Sequence, residues 1–282
     1  MPKSHLRQLV KLIRVFSLTG GVRLWCALTF QMWFRSGLLS LDIPGFAAPV
    51  YLRRRDLPIF WQILVMQEYA IDSMPQVSRT MDTYRRILSE GNKPVIVDCG
   101  GHIGLSVVWF ASHFPDSTIY CVEPDTSNFE LLQRNTESYS NVTALHGGVW
   151  NRSCHLKILD PLSGSASFRL QEVFEVDPAQ LDLLRAYTIG EIFRREANNR
   201  LFLVKIDIEG AESVVFAEPT DWLESTTMLI IELHDWLMPG DGTSRSFFKR
   251  IAEDYFDVII RGENLILFRV PDTNKVAASL HA

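Results

Sequence analysis

Residues 95–104 read VIVDCGGHIG. Val95, Ile96 and Val97 are β-branched and apolar, the composition of a strand buried on both faces. The run ends at Asp98, and glycines then crowd around His102. Gly100 and Gly101 let the backbone turn sharply and come close to a ligand, and Gly104 lets the next helix pack tightly. A helix starting near residue 103 offers free N–H groups to the turn. The spacing is Asp-x-Gly-x-x-x-Gly, not the Gly-x-Gly-x-x-Gly of dinucleotide sites. A pyrophosphate seeks a helix N-terminus with no anion beside it. Asp98 puts a carboxylate there, so the turn suits a cationic or hydrogen-bond-donating ligand.

The texture of this unit repeats along the chain. Apolar strand-like runs at 94–99, 117–122, 142–146, 201–207 and 227–233 alternate with helical stretches at 103–113, 126–138, 186–198 and 211–217. That alternation predicts an α/β fold with a parallel sheet and crossover helices. Asp125 or Ser127 can cap the helix at 126–138, with Glu130 following. Residues 147–180, which contain LDPLSGSASFRL, read as an inserted hairpin. A last helix near 243–253 precedes YFDVIIRGENLILFRV, two apolar runs around a Gly-containing turn. They predict a closing hairpin and so an antiparallel strand at one edge. Upstream, residues 1–80 read as a helical cap broken at Gly20-Gly21 and at IPGFAAP, with a short strand at Tyr51 and a helix near 57–69. Residues 81–282 then carry the α/β domain.

In open α/β sheets ligands bind at the carboxyl ends of the strands. The second strand ends in YCVEPD, placing Glu123 and Pro124 at its tip, 25 residues after Asp98. A carboxylate there can accept both hydroxyls of a ribose. A ribose with no phosphate demand, beside a site for a cation, describes S-adenosylmethionine. The fourth run, FLVKIDIEGAE at 202–212, holds Lys205 inside an apolar strand and ends in Asp207, with Glu209 and Glu212 beyond. Acids at that end suit a cofactor's cation or a substrate hydroxyl, and Glu212 also suits the N-terminus of the next helix. In MLIIELHDW, Glu232 and His234 point to one side, and His234 is a candidate general base. Asp207 with Glu209 and Asp235 could supply oxygen ligands to a divalent cation. Their spacing is not diagnostic, and no metal is assigned.

Taken in order, VIVDCGGHIG, YCVEPDTSNFELLQRN, LVKIDIEGAE and LIIELH resemble the motifs of the FkbM family of S-adenosylmethionine-dependent methyltransferases. VYLRRRDLPIFWQILVMQEYA resembles the lead-in to their core. The resemblance spans roughly residues 50–235, and KIDIEGAE is its most specific part. It implies a Rossmann-like seven-stranded class I methyltransferase sheet with an antiparallel last strand, here with an N-terminal helical extension. It implies methyl transfer to oxygen on a hydroxylated small molecule such as a sugar or polyketide. By position it assigns Asp98, Gly100 and Gly104 to the methionine part of the cofactor, Glu123 to the ribose, and Asp207 to the neighbourhood of the reacting methyl. Asp207, Glu209 and His234 are the candidates for a base. Where the family usually has Ala-Asn, this chain has Gly101-His102. His102 is therefore expected to shape the cofactor turn, not to act as the base. Residues 1–45 match no family motif.

Composition narrows the partners. The 282 residues are 47% hydrophobic and 22% charged, close to a globular average. A net charge of −5 argues against a nucleic-acid partner. Cys26, Cys99, Cys121 and Cys154 fit no zinc spacing, and nothing demands an oxidising compartment, so a cytoplasmic location is expected. Residues 1–40 carry Lys3, Arg7, Lys11, Arg14, Arg23 and Arg35 and no acid, leaving −11 for the rest. Leu6, Leu9, Val10, Leu12, Ile13 and Phe16 recur there at roughly helical spacing. The longest charge-free run, 24–34, has 11 residues, against the about 20 a membrane span needs. The segment is read as a cap packed on the domain, or as a basic amphipathic element touching an anionic membrane or acidic partner. Trp150, Phe168, Phe174 and Trp236 could line an apolar acceptor pocket. Two other classes remain: a nicotinamide-dependent oxidoreductase, disfavoured by Asp98 and the closing hairpin, and a non-catalytic binding module, disfavoured by the intact Asp98, Glu123 and Asp207.

Overall fold

The computed structural model describes residues 3–34, 37–159, 169–174, 183–254 and 256–271. Its main sheet contains β1 (Lys93–Cys99), β2 (Thr118–Glu123), β3 (Val142–His146), β4 (Asn199–Ile206), β5 (Met228–Glu232), β6 (Phe256–Arg261) and β7 (Asn264–Arg269). The seven strands lie in the order β6-β7-β5-β4-β1-β2-β3. β3, β2, β1, β4 and β5 run parallel, while β7 pairs antiparallel with both β5 and β6. This is the Rossmann-like sheet with an antiparallel last strand expected from the sequence. Strand order reverses between β1 and β4, which makes their carboxyl ends the topological switch point. The β1–β4 register sets Asp98 opposite Lys205 and Cys99 opposite Ile206.

β1 is buried from Pro94 to Cys99 because both faces of the sheet are covered. On one side Ile96 and Phe202 pack with Leu105 and Phe110 of α3 (Leu105–His113), and with Leu12, Phe16 and Leu24 of α1 (Lys3–Phe34). Seven of the nine α3 residues are buried, including the polar Ser106, the mark of a helix enclosed all round. On the other side Val95 and Val97 pack with Ile189, Phe193, Trp222 and Phe247. A helix that the sequence pattern did not resolve, α2 (Val77–Ser89), places Tyr84 against Phe114 and Phe202. α4 (Thr126–Thr136) starts at Asp125, whose side chain accepts from Asn128 N–H at 2.8 Å.

Three expectations change. The helical reading of 186–198 gives way to a strand at Leu184–Tyr187 and a short helix at Ile189–Phe193 capped by Thr188. That strand pairs with Gly148–Val149 and with His155–Leu159, which pairs in turn with Arg169–Val173. The inserted hairpin is therefore part of a four-stranded sheet, and its turn at 160–168 lies outside the described residues. Tyr51 is in a strand, Val50–Leu52, but the partner Leu39–Leu41 had no local signal. Finally, α1 does not break at Gly20-Gly21. It kinks at Phe16 and Ser17, where Ser17 has φ of 68°. Gly21 then lies against the backbone of Leu12 and Ile13, and Gly20 against Pro44, so the glycines permit close packing rather than a break. By length and composition His5–Trp33 suffices to cross a membrane, but the kink divides it into two arms, each short of the about 20 residues of a straight span.

Candidate functional site

The carboxyl ends of β1, β2 and β4 open onto a cleft walled by Gly100, His102, Glu123, Pro124, Asn128, Asp207 and Glu209 with Ile59, Val122, Val149 and Leu170. A smaller chamber adjoins it across Gly100, His102 and Asp207, reaching Gly101, Tyr69, Lys205 and Glu232. At Gly100 φ is +86°, and a Cβ would overlap the carbonyl oxygen of Asp207. Only glycine lets the two strand ends come this close. The N–H groups of Gly100 and Gly101 both donate to the Val122 carbonyl, at 3.0 and 3.1 Å. Gly104 begins α3 and borders neither cavity; its neighbour is Leu132 of α4 and not the sheet.

Asp98 is fully buried and does not reach either cavity. Ser106 Oγ donates to one of its oxygens at 2.5 Å, and Lys205 Nζ lies 3.1 Å from the other. The direct cofactor contact expected of Asp98 is thus replaced in this structure by a buried ion pair. Lys205 Nζ also donates to the Gly100 carbonyl at 2.8 Å and lies 3.4 Å from Asp207. Burial opposes the ammonium's charge, but Asp98 and Asp207 outweigh it and hold Lys205 protonated. One lysine thereby clamps the end of β1, the glycine turn and the end of β4.

Glu123 borders the cleft with its carboxyl largely filled. His102 N–H donates to Oε2 at 2.8 Å; Asp125 N–H and Asn128 Nδ2 donate to Oε1 at 3.0 and 3.3 Å. A carboxylate has about four acceptor positions, so one on Oε2 remains for a ligand. The sequence suggested a bidentate grip on two hydroxyls; this geometry leaves room for one. Burial pushes the Glu123 carboxyl up to about 7 in spite of these donors. His102 has φ of 49°, the left-handed region that His and Asn enter more readily than most residues. Burial lowers its imidazole to about 4, so it is neutral at physiological pH. Neither ring nitrogen has a hydrogen-bond partner, and Asp56 lies 3.9 Å from Nε2.

Beyond β4 and β5 five titratable groups converge. His234 lies just past β5, 2% exposed, behind the cavity walls. Its Nδ1 is 2.6 Å from Glu212 Oε1. Its Nε2 faces Asp207 Oδ1 at 3.6 Å, Glu232 Oε1 at 3.6 Å and Glu209 Oε2 at 3.7 Å. Burial opposes a charge on the ring, but the Glu212 hydrogen bond and the surrounding carboxylates raise it to about 9. At neutral pH the imidazole therefore holds its proton, which removes His234 as a free general base in this state. Burial holds Glu209 and Glu232 up at about 7. Asp235, offered with Asp207 and Glu209 as an oxygen ligand, turns away and accepts from Thr243 and Ser244 at 3.3 Å. Glu212, read as a helix-terminus acid, is wholly buried and positions His234. Lys205 signalled such a site by lying inside an apolar strand, but which acid it meets depends on register. Of the aromatics proposed for an acceptor pocket, Trp150 is buried among Leu156 and Leu184, and Phe174 and Trp236 are 82% and 67% exposed. These three border neither cavity, and Phe168 lies outside the described residues.

Comparisons bear on this arrangement. Methyltransferase 1 of Beauveria bassiana (strain ARSEF 2860) is 27% identical over 139 residues, covering 42% of this chain and 55% of that protein. The chain thus spans about half the length of that curated relative. Fibrillarin of Aeropyrum pernix, solved with natively bound S-adenosyl-L-methionine, is 12% identical over 64% of this chain and 66% of its own, with a TM-score of 0.36. The bifunctional kinase-methyltransferase WbdD is 12% identical over 74% of this chain and 41% of its own, with a TM-score of 0.39. The Methyltransferase FkbM domain model matches residues 98–259, from the Asp98 turn through Lys205, Asp207 and His234 into β6. That match takes in more than half of the sequence and every titratable group of the site except Asp56 and Tyr69, and on it the chain belongs to the FkbM methyltransferase family.

Proposed function

We propose that this methyltransferase uses S-adenosylmethionine and methylates a hydroxyl oxygen of a small molecule. The observation that carries the reading is the switch-point cleft, with a partly filled Glu123 carboxyl on one side and Asp207 and Glu209 on the other. Polar groups left without partners support the fit of the cofactor. Both ring nitrogens of His102 are buried and unbonded at the cleft wall, and Glu123 Oε2 keeps one acceptor position. Ile59, Val122, Val149 and Leu170 offer an apolar slot of the kind an adenine ring fills. When bound, the cofactor supplies a methyl group activated by a sulfonium, ready for displacement by oxygen. The chain's own task is then chiefly alignment in a dry site. Glu123 would take a ribose hydroxyl, and His102 would shape the turn beneath the methionine part. Lys205, tied to Asp98, would fix Gly100 and Asp207 relative to one another. Asp207 and Glu209 are the carboxylates placed at the cleft to receive the acceptor's proton.

Calorimetry with S-adenosylhomocysteine and label transfer from S-adenosylmethionine to a panel of hydroxylated acceptors test the reading. Micromolar binding with label on an acceptor oxygen is expected. Binding of a nicotinamide dinucleotide with none of S-adenosylhomocysteine would overturn it in favour of an oxidoreductase.

For the N-terminal segment we propose a peripheral contact with anionic lipid. Leu18, Val22, Cys26 and Trp33 form an exposed row at helical spacing on the second arm of α1. The first arm exposes Leu6 and Val10 beside Arg7, Lys11 and Arg14. Exposed apolar and cationic residues on the two arms, with no acid among them, fit a headgroup interface.

A further inference from the structure

We propose that the carboxyl ends of β4 and β5 bind one divalent cation, held by Asp207, Glu232 and His234. Each of these offers a ligand atom within 4.8 Å of the others. The imidazole is the informative member. Its Nδ1 is committed to Glu212 Oε1 at 2.6 Å, the carboxylate–histidine pairing that orients ring nitrogens toward metals. Its Nε2 makes no hydrogen bond, although the side chain is 2% exposed, and a bound cation would displace the proton that this nitrogen carries at neutral pH. Three carboxylate oxygens stand around it at 3.6 to 3.7 Å. That is too long for a hydrogen bond. It is a few tenths of an ångström wider than the roughly 3.0–3.4 Å between neighbouring donors on a shared cation at about 2.1 Å. With the three ligand atoms within 4.8 Å of one another, the two carboxylates would draw together around the cation to close such a shell.

Glu212 Oε2, on the carboxylate behind the ring and outside this spacing, is also buried with no hydrogen-bond partner, as is the Glu209 Oε2 already counted beside Nε2. Four carboxyl groups thus meet at one imidazole, and the neighbouring cation, Lys205, is already shared by Asp98, Gly100 and Asp207. Once the imidazole gives up its proton to ligate, these carboxyls would keep only the shared Lys205 as a counter-charge, and a divalent cation would restore the balance. The donors are one imidazole and carboxylates with no thiolate, which suits Mn²⁺ better than Zn²⁺ in a cysteine site or Ca²⁺ in an all-oxygen loop. Asp207 borders both cavities and Glu232 the smaller one. A cation between them would face the acceptor side and act as a Lewis acid toward a hydroxyl or vicinal diol. That consequence rests on the proposed methyl transfer; cation binding does not.

Mn²⁺ alone is the probe. The electron paramagnetic resonance signal of free Mn²⁺ is followed as whole protein is added, without cofactor or acceptor. Uptake of one Mn²⁺ per chain is expected. Glu232→Gln, on a partly exposed side chain, and Glu212→Gln, behind the ligand, should each weaken it roughly tenfold or more, with unchanged circular dichroism. No uptake by the wild-type chain at millimolar Mn²⁺ would overturn the proposal, and so would full uptake by folded Glu232→Gln protein. Uptake without methyl transfer would uphold the site and count against the reaction. Methyl transfer that survives exhaustive chelation, with no uptake, would do the reverse.

Discussion

Replacing Lys205 with methionine should destabilise the protein in a way that depends steeply on pH. The ammonium lies 3.1 Å from Asp98, and both side chains are almost wholly buried. At an effective dielectric constant of about 20, that attraction is about 5 kcal/mol. Methionine keeps most of the aliphatic stem but leaves Asp98 with only the Ser106 hydrogen bond. A buried carboxylate stripped of its partner costs about 3–5 kcal/mol. Protonation caps the cost. Neutralising a carboxyl of ordinary pKa near 3.9 takes about 4 kcal/mol at pH 7 and about 1.5 kcal/mol at pH 5. Burial already raises the Asp98 carboxyl in the wild type in spite of Lys205 and Ser106, and losing the ammonium raises it further, so in the variant its folded pKa lies still higher above the unfolded value. Its stability contribution is present below about pH 4 and is lost as pH rises toward the folded pKa, at about 1.4 kcal/mol per unit. Urea unfolding of wild type and Lys205→Met, followed by circular dichroism, measures the difference at both pH values. The gap should shrink by at most about 1.5–2.5 kcal/mol from pH 7 to pH 5. Asp98→Asn combined with Lys205→Met should recover most of the loss at pH 7, since no charge then remains uncompensated. A loss below about 1 kcal/mol, or the same loss at both pH values, would refute the buried pair as the clamp of this turn.

Three further outcomes are expected. Glu123→Gln should weaken S-adenosylhomocysteine binding about 10–100-fold in calorimetry, because it turns one acceptor oxygen into an NH2 donor that faces groups already donating there. The same variant should flatten the stability profile: the folded Glu123 carboxyl titrates at about 7, so its contribution is present below about pH 4.5 and lost as pH rises toward 7. His102→Ala should raise the dissociation constant for the cofactor more than it lowers kcat, whereas His102→Asn, which tolerates the φ of 49°, should retain the turn; a variant impaired only in kcat would return His102 to the list of bases. Flotation with phosphatidylserine vesicles should carry the wild-type chain in a salt-sensitive manner, and Leu18→Glu with Trp33→Glu should abolish it; equal flotation on neutral vesicles would remove the electrostatic part of that reading.

What could be read from the sequence was the local part. The β1 run, its glycine turn, the cap at Asp125 and the closing hairpin are each set by residues within about ten positions of one another, where sterics and hydrophobic period act directly. Elements whose identity depends on a distant partner were misread. Leu184–Tyr187 becomes a strand by pairing with Gly148–Val149 and His155, and its own run suggested a helix. Gly20-Gly21 looked like a break, yet it is a packing contact that only the fold of α1 against itself and Pro44 creates. The site divides in the same way. Asp98, Glu123 and Asp207 were recognisable as acids at strand ends, because strand ends are visible in the sequence. Their states were not, because charge depends on which groups the strand order brings together. Asp98 read as a ligand for a cationic cofactor, but the β1–β4 register gives it Lys205, 107 positions away, as its cation. His234 read as a base; Glu212, 22 positions earlier, and three more carboxyls make it an acid instead. The same surroundings that remove the base present a nitrogen to a ring of anionic oxygens. With the proposed cation in place, a hydroxyl entering beside Asp207 would meet it there, and Glu209, which also borders the larger cleft, would be the carboxylate left to take the proton.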